Sequence, residues 1–314
     1  MWRSVNNGLV ELGSNSFRLL VSDDAGNEIV RRSAHLHLVS SVAVQGFLER
    51  DDIIRATRAA VEYTRLAADC GCERVDVIAS EVFRLAGNGR QALEHIAREI
   101  NNSIHLLSGE EESLLAWRGA TAELPQTGPC TVADLGGGSL NLASGQTFDP
   151  RPSCTSTHRV GVSLLAPLAQ EGDLLTAAGR VRLEHHVNEQ LRPQAGEHAG
   201  RPVILVGGWA RTLSQLIHTA RRGQVPTSVH GLTLDTADLG HIITRVSDLS
   251  SPARLAMPGM KQRRAEFLPV AATVLRQVLR SLDAPSAQVS VAGVREGATR
   301  GRTATQRTVA GTAA

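Results

Sequence analysis

Lysine is almost absent from this chain. Lys261 is the only one, so arginine supplies every other fixed positive charge among 33 basic side chains, set against 31 acidic ones for a net charge of +2. That near balance gives no ground for a nucleic-acid partner. A guanidinium binds phosphate through two parallel hydrogen bonds and keeps its charge when partly buried. Genomic base composition produces the same bias, so an arginine counts only where a motif places it. Long apolar runs are absent too. None approaches the roughly 20 residues of a membrane span, and Met1-Trp2-Arg3-Ser4-Val5-Asn6-Asn7 lacks the basic-then-apolar build of a secretory signal. The expectation is a cytoplasmic protein without a membrane partner. Cys70, Cys72, Cys130 and Cys154 match neither a zinc ribbon nor a disulfide framework, and Cys70-Gly71-Cys72 is too close-set for a CxxC redox pair. They read as plain thiols. His35 with His37, and His185 with His186, have no third ligand spaced to join them. Neither a Walker loop nor a GxGxxG fingerprint is present, which excludes nucleotide binding of those kinds.

What is present is enough for two real cores: 314 residues, 42% of them hydrophobic. From Leu9 to about Val44 the pattern is strand-like, interrupted by the turn-rich Ser22–Asn27. Helical spacing follows from Asp51 to Cys70, then a buried strand at Val75–Ala79, a helix at Arg90–Asn101 and a brief strand at Ile104–Leu107. Ser108 and Glu111 fit a capping box opening a helix that runs to about Glu123. Pro125, Gly128 and Pro129 then break the chain, placing domains at 1–124 and 125–314. The second half repeats the theme. Strands run from Cys130 to about Gly145 and near Ser153–Val160; helices start at Leu164 and cover Ala177–Gln190; a polar loop occupies Pro193–Gly200. The apolar strand Val203–Val206 precedes a helix from about Ala210 to Arg221. Helices at Thr236–Leu249 and Arg264–Leu282 lead to a strand at Gln288–Val291, and a small, basic tail beyond about Arg300 is expected to fray. Strands alternating with helices after opening hairpins define an α/β fold.

Two stretches say nearly the same thing. Glu11-Leu12-Gly13-Ser14-Asn15-Ser16 and Asp134-Leu135-Gly136-Gly137-Gly138-Ser139 each put a carboxylate at the end of an apolar run, then a small turn, then a second apolar run. Each reads as a β-hairpin whose turn can hold an anion: glycine lets the backbone come close, while Ser, Asn and N–H groups converge on whatever sits above. A duplicated domain follows. The three consecutive glycines make Asp134–Ser139 the stronger phosphate loop; Gly13–Ser16 alone reads equally as a structural turn. Arg18 on the returning strand is either a phosphate ligand or a solvated strand arginine. Arg84 follows a strand end, where open α/β sheets bind ligands. Of Glu110, Glu111 and Glu112, capping accounts for Glu111, while Glu112 can serve as a general base for an attacking water. Gly207-Gly208 opens a further helix and offers an anion-ready N-terminus, with Trp209 read as a packing residue.

In combination and order, Glu11–Arg18, Ala79–Arg84, Leu107–Glu112, Asp134–Ser139, His230-Gly231, Pro258-Gly259 with Arg263-Arg264, and Gly293–Gly297 resemble the exopolyphosphatase / guanosine pentaphosphate phosphohydrolase family, a branch of the actin-like ATPase superfamily. The resemblance spans about Leu9 to Gly297 and matches the short form of the family. It implies two ribonuclease H-like domains with the active site in the cleft between them. It further implies Mg²⁺-assisted attack of water on a terminal phosphoryl group of inorganic polyphosphate or guanosine pentaphosphate. By analogy Glu112, Asp134 and Arg84 are catalytic, Glu11 and Asp134 hold metal, and the substrate phosphates meet Gly13, Ser14, Asn15, Ser16, Arg18, Gly136, Gly137, Gly138, Ser139, Gly207 and Gly208. Three positions depart from the family pattern: Glu11 stands for Asp, Asn141 for Glu, and Trp209 for a small or hydroxylated residue. Loss of the carboxylate at 141 leaves open a non-catalytic polyphosphate or alarmone sensor. A homodimer is compatible with the large apolar helices of the second half.

Overall fold

A computed structural model describes residues 6–124 and 128–299. The first five residues, the break at Pro125 and the basic tail from Arg300 lie outside the described residues. The chain forms two compact units, one taking the described residues up to Glu112 together with those from Arg295 onward, the other Ser113–Val294.

The first unit runs β1 (Asn6–Leu12), β2 (Ser16–Ser22), β3 (Glu28–His35), α1 (Leu38–Gln45), α2 (Arg50–Asp69), β4 (Cys72–Ala79), α3 (Glu81–Leu85), α4 (Gly89–Ile100), β5 (Ile104–Leu106) and the start of α5 (Gly109–Thr121). Its sheet has the order β3-β2-β1-β4-β5, with β1, β2 and β3 antiparallel and β4 and β5 parallel to β1. Helix α2 lies across β1, β2 and β4 and packs on α4. Val10, Leu12, Phe17, Leu19 and Val21 reach it through the period-two alternation of the strands. The division between units falls within α5, after Glu112.

The second unit continues with β6 (Pro129–Leu135), β7 (Leu140–Gln146), β8 (Cys154–His158), α6 (Val162–Ala169), β9 (Gln170–Glu171), β10 (Leu174–Leu175), α7 (Ala177–Leu191), α8 (Ala195–His198), β11 (Val203–Val206), α9 (Gly207–Arg222), β12 (Thr233–Asp235), α10 (Thr236–Val246), α11 (Ser251–Leu255), α12 (Gln262–Ala265), α13 (Leu268–Ser281) and β13 (Ser286–Val289). Its main sheet has the order β12-β13-β11-β6-β7-β8. The all-apolar β11 is explained by burial on both faces: Val203 and Leu205 enter the large core, and Ile204 and Val206 meet Ala116, Trp117 and Ala120 of α5.

Three local readings change. The segment Leu38–Gln45, expected as strand, is helix α1. His37 adopts a left-handed conformation (φ 54°) that ends β3, and the N–H groups beside it find carbonyls in the β1–β2 turn rather than on a strand neighbour. Helix α9 starts at Gly207, three residues before the expected Ala210, because the two glycines are themselves its first turn. Short α3, α8 and β12 went unread; pieces of three to five residues carry too little periodicity.

One buried polar cluster closes the outer edge of the second sheet. His198 is fully buried, its Nδ1 2.7 Å from Ser144 Oγ and its Nε2 2.9 Å from Ser156 Oγ. Burial, reinforced by His158 and Arg201, pushes its pKa down to about 4. Protonation therefore favours the unfolded chain, where histidine titrates near 6.5. The stabilisation is complete above that value and is lost as pH falls toward the folded value, a loss of about 3 kcal/mol. Urea midpoints measured in EDTA buffer from pH 7 down to 4.5 should fall for the wild type and fall less steeply for His198→Gln.

Candidate functional site

The two hairpins read from the sequence have the same internal bonding. In the first, Gly13 N–H donates to Ser16 O at 3.2 Å and Glu11 faces Arg18 across the ladder. In the second, Gly136 N–H donates to Ser139 O at 2.8 Å and Asp134 faces Asn141. A helix start seizes the carbonyls of each turn. Leu36 and His37 donate to Asn15 O and Val39 to Ser14 O, just before and within the first turn of α1. Val162 donates to Gly136 O, Ser163 and Leu164 to Gly137 O, and Gly161 to Gly138 O, at 3.0–3.3 Å. The orphan donors of α6 are thus satisfied by the loop itself. With its carbonyls turned to α6, the second loop leaves the N–H groups of Gly137, Gly138 and Ser139 without an acceptor among the described residues. Buried amides in that state form an anion cradle.

Gly161, missed from sequence, is what permits this approach. A Cβ there would sit 2.2 Å from Gly138 C and 2.4 Å from Gly137 O. Gly207 is the second obligatory glycine: its φ is +93° and a Cβ would lie 2.7 Å from Asp134 Oδ1, next to which β11 runs parallel to β6. Asp134 and the α9 start are therefore neighbours. Gly208 gives room to Arg264, whose Nη2 occupies the place of its missing side chain, while the Arg264 guanidinium stacks 4.1 Å from the Trp209 ring centre. Trp209 is buried in the large core, a packing residue that also carries this arginine.

In the first unit Glu11 sits between two guanidinium groups. Arg18 Nη1 donates to Oε1 at 3.1 Å and Oε2 at 3.2 Å, and Arg295 Nε lies 3.4 Å from Oε2. Burial lowers the pKa of Arg295, with Glu11 working the other way. Arg295 was not among the residues singled out individually; its signal is the Gly293–Gly297 motif. Arg84, placed by α3 directly after β4, pairs with Glu112 at 2.9 Å, with Glu81, and with Leu107 O. Burial works against its charge, but Glu112 and Glu81 outweigh it and its pKa lies above the ordinary arginine value. Glu112 is buried. Glu111 completes the reciprocal capping box: Ser108 N–H donates to Glu111 Oε2 at 2.8 Å and Glu111 N–H to Ser108 Oγ at 3.1 Å. Ser16 Oγ bonds His35 Nδ1 at 2.6 Å, and Asn141 Oδ1 accepts from Thr157 at 2.9 Å. The first unit thus gathers Glu11 with Arg18 and Arg84 with Glu112; the second gathers Asp134, the glycine loop and Gly207.

This pair of sheets, each opening on a hairpin with a carboxylate beside its turn, is the ribonuclease H-like fold, present twice. An exopolyphosphatase from Cytophaga hutchinsonii has a solved structure that superposes with a TM-score of 0.85 at 20% identity, covering 95% of this chain and 97% of that one. The Aquifex aeolicus member of the Ppx/GppA family gives 0.78 at 22% identity, covering 97% and 99%. Among curated proteins, Exopolyphosphatase 1 of Mycobacterium leprae is 25% identical over 306 residues, 92% of this chain and 87% of that protein. Exopolyphosphatase 2 of Mycobacterium tuberculosis is 26% identical over 292 residues, 87% and 89%. The model of the Ppx/GppA phosphatase family matches residues 20–304, and the chain belongs to that family.

Gly161→Ala should cost about 1–3 kcal/mol, since the clash is with backbone and not with a mobile side chain. Urea denaturation reads the loss, and the exposed Gly196→Ala, where a Cβ meets nothing, is the control.

Proposed function

We propose that this chain is an exopolyphosphatase-type phosphohydrolase, releasing terminal phosphate from inorganic polyphosphate with the help of Mg²⁺. The observation that carries the reading is the matched pair of hairpins, each with a carboxylate beside a turn whose carbonyls a helix start holds. The curated relatives named exopolyphosphatase support the choice of substrate. No helix among the described residues is long and apolar enough to cross a membrane, in keeping with a cytoplasmic role.

The residues present suit a hard cation. Their donors are carboxylate oxygens, and Asp134 Oδ1 borders the space that a Cβ on Gly207 would fill. Asp134 is the residue that would hold Mg²⁺; Glu11 shares both oxygens with Arg18 and Arg295 and would contribute only by yielding one of them. Bound there, Mg²⁺ supplies Lewis-acid polarisation of a phosphoryl oxygen. The N–H groups of Gly137, Gly138 and Ser139 donate to phosphoryl oxygens. Arg84 offsets phosphate charge and fixes the orientation of Glu112, which accepts the proton of the attacking water.

Asn141 favours a second reading, a sensor that binds polyphosphate or an alarmone without turnover. An amide is neither a base nor a good magnesium ligand, and its oxygen is engaged with Thr157. Phosphate release from polyphosphates of several lengths and from guanosine pentaphosphate, with Mg²⁺ and with EDTA, separates the readings. Release from polyphosphate that EDTA abolishes is the expected result; binding without release would move the conclusion to the sensor, and preference for guanosine pentaphosphate to the sister activity.

Glu112→Gln should lower phosphate release by about 10²–10⁴-fold while leaving polyphosphate affinity within a few-fold. Turnover near wild type would remove Glu112 from the role of base. Asn141→Glu is expected to raise turnover if 141 marks a weakened catalyst, and to leave it unchanged if the site works as it stands.

A further inference from the structure

The spacing of the cysteines and histidines suggests no metal site, yet the fold brings three ligand types to one corner of the second unit. Cys154 opens the edge strand β8, and Glu197 and His198 close α8. One ligand atom from each lies within 4.8 Å of the others, and Cys154 Sγ is 3.8 Å from His198 Nδ1. Tetrahedral zinc, with Zn–S near 2.3 Å and Zn–N near 2.0 Å, sets sulfur and nitrogen about 3.5 Å apart.

The ring nitrogen that faces the thiol is Nδ1, and a hydrogen-bond chain runs behind His198 from its other nitrogen. Gln190 O only accepts, so His158 Nδ1, 3.0 Å away, carries the hydrogen. Buried and neutral, His158 then offers a lone pair at Nε2, which takes the hydroxyl hydrogen of Ser156 at 2.8 Å. Ser156 Oγ is left to accept from His198 Nε2–H at 2.9 Å. Read from Gln190, the chain leaves the lone pair of His198 on Nδ1, the atom 3.8 Å from Cys154 Sγ; read from His198 O through Thr131 and Ser144, it puts a hydrogen on that same atom. A metal-binding histidine is oriented in the same manner, through a bond from its other nitrogen.

The same corner is one hydrogen short. Thr131 Oγ1 lies 2.7 Å from both His198 O and Ser144 Oγ, and Ser144 Oγ lies 2.7 Å from Nδ1, so two hydroxyl hydrogens serve three contacts. A cation on Nδ1 resolves the shortage. Ser144 steps off the lone pair and turns its hydrogen to Thr131, which donates to His198 O.

We propose that Cys154, Glu197 and His198 form a site for a thiophilic divalent cation, Zn²⁺, which clips α8 to the edge of the sheet. Thiolate and imidazole select zinc over magnesium. Glu197 is exposed and Cys154 half-buried, which opens a path from solvent. Binding releases the thiol proton to solvent, and the two anionic ligands offset the nearby charge of Arg201.

The test uses the full chain stripped of metal and titrated with Co²⁺. One equivalent should bring up a thiolate-to-cobalt charge-transfer band that Zn²⁺ displaces and a hundredfold excess of Mg²⁺ does not. Cys154→Ser should abolish the band and Glu197→Gln weaken affinity about tenfold. Zn²⁺ should raise the melting temperature of the wild type but not of Cys154→Ser. Should that variant fold poorly, alkylation of the wild type mapped by mass spectrometry takes its place: Zn²⁺ should protect Cys154 at least tenfold while Cys70 and Cys72 react as before. No band in the wild type, a band that survives in Cys154→Ser, or equal alkylation with and without Zn²⁺ would overturn the site.

Discussion

Everything in the candidate site depends on where the backbone carbonyls of two hairpin turns go. A tight turn presents both donors and acceptors, and a loop that shows both signs to its surroundings has no preference for anions. Here helix starts take the acceptors. Donors at the head of α1 hold Ser14 O and Asn15 O, and donors at the head of α6 hold three successive carbonyls of the triple-glycine loop. Four N–H groups at a helix start need partners in any case. Satisfying them with the loop's carbonyls caps the helix and leaves the second loop with amide hydrogens only. The approach this requires is closer than any side chain allows, which is why Gly161 sits opposite Gly137 and Gly138.

The charges around the first hairpin obey a related constraint. A buried ion is costly unless paired, and removing its partner is costlier than never having had the pair. Arg295 is buried, and Glu11 is the first carboxylate that offsets it, followed by Glu296. Arg84 in turn serves Glu81 and Glu112 together. The near absence of lysine fits these demands whatever its origin in composition. Burial among Arg263, Arg211 and Arg264 lowers the pKa of Lys261, the one lysine in the chain, whereas a guanidinium stays charged under comparable desolvation. Arginine therefore supplies a fixed charge at places where lysine would titrate.

What the sequence discloses and what it hides divide along chain distance. The hairpins and the capping box of Ser108 and Glu111 rest on neighbours a few residues away, and the unbroken apolar run of β11 is itself a local signal, so each was legible. Helix α1 was misread because Leu38–Val44 is rich in β-branched residues, and only the carbonyls of a turn some twenty positions earlier make it helical. Arg295 meets Glu11 from the far end of the chain, and Gly161 earns no notice until the loop it touches is folded against it. His198, Cys154 and Ser144 belong to three separate segments with no shared spacing, so no local pattern announces the corner they form.

The two hairpins are copies in bonding but not in charge, and the difference assigns their duties on the proposed reading. Across the first ladder the carboxylate faces a guanidinium, Arg18, and the extra methylene of Glu11 extends it toward Arg295 as well. Across the second, Asp134 faces the neutral amide of Asn141 and borders the Gly207 turn. A carboxylate held by two guanidiniums is a poor competitor for a dication, since the metal must displace a cation already in place. Mg²⁺ asks for only one or two carboxylates before phosphate oxygens and water complete its shell. On the proposed reading Asp134 of the second unit would anchor the metal, while Glu11, already engaged by Arg18 and Arg295, would leave the first unit to hold phosphate charge through arginine. The departure to Asn at 141 withdraws a second carboxylate from the position across the ladder from Asp134.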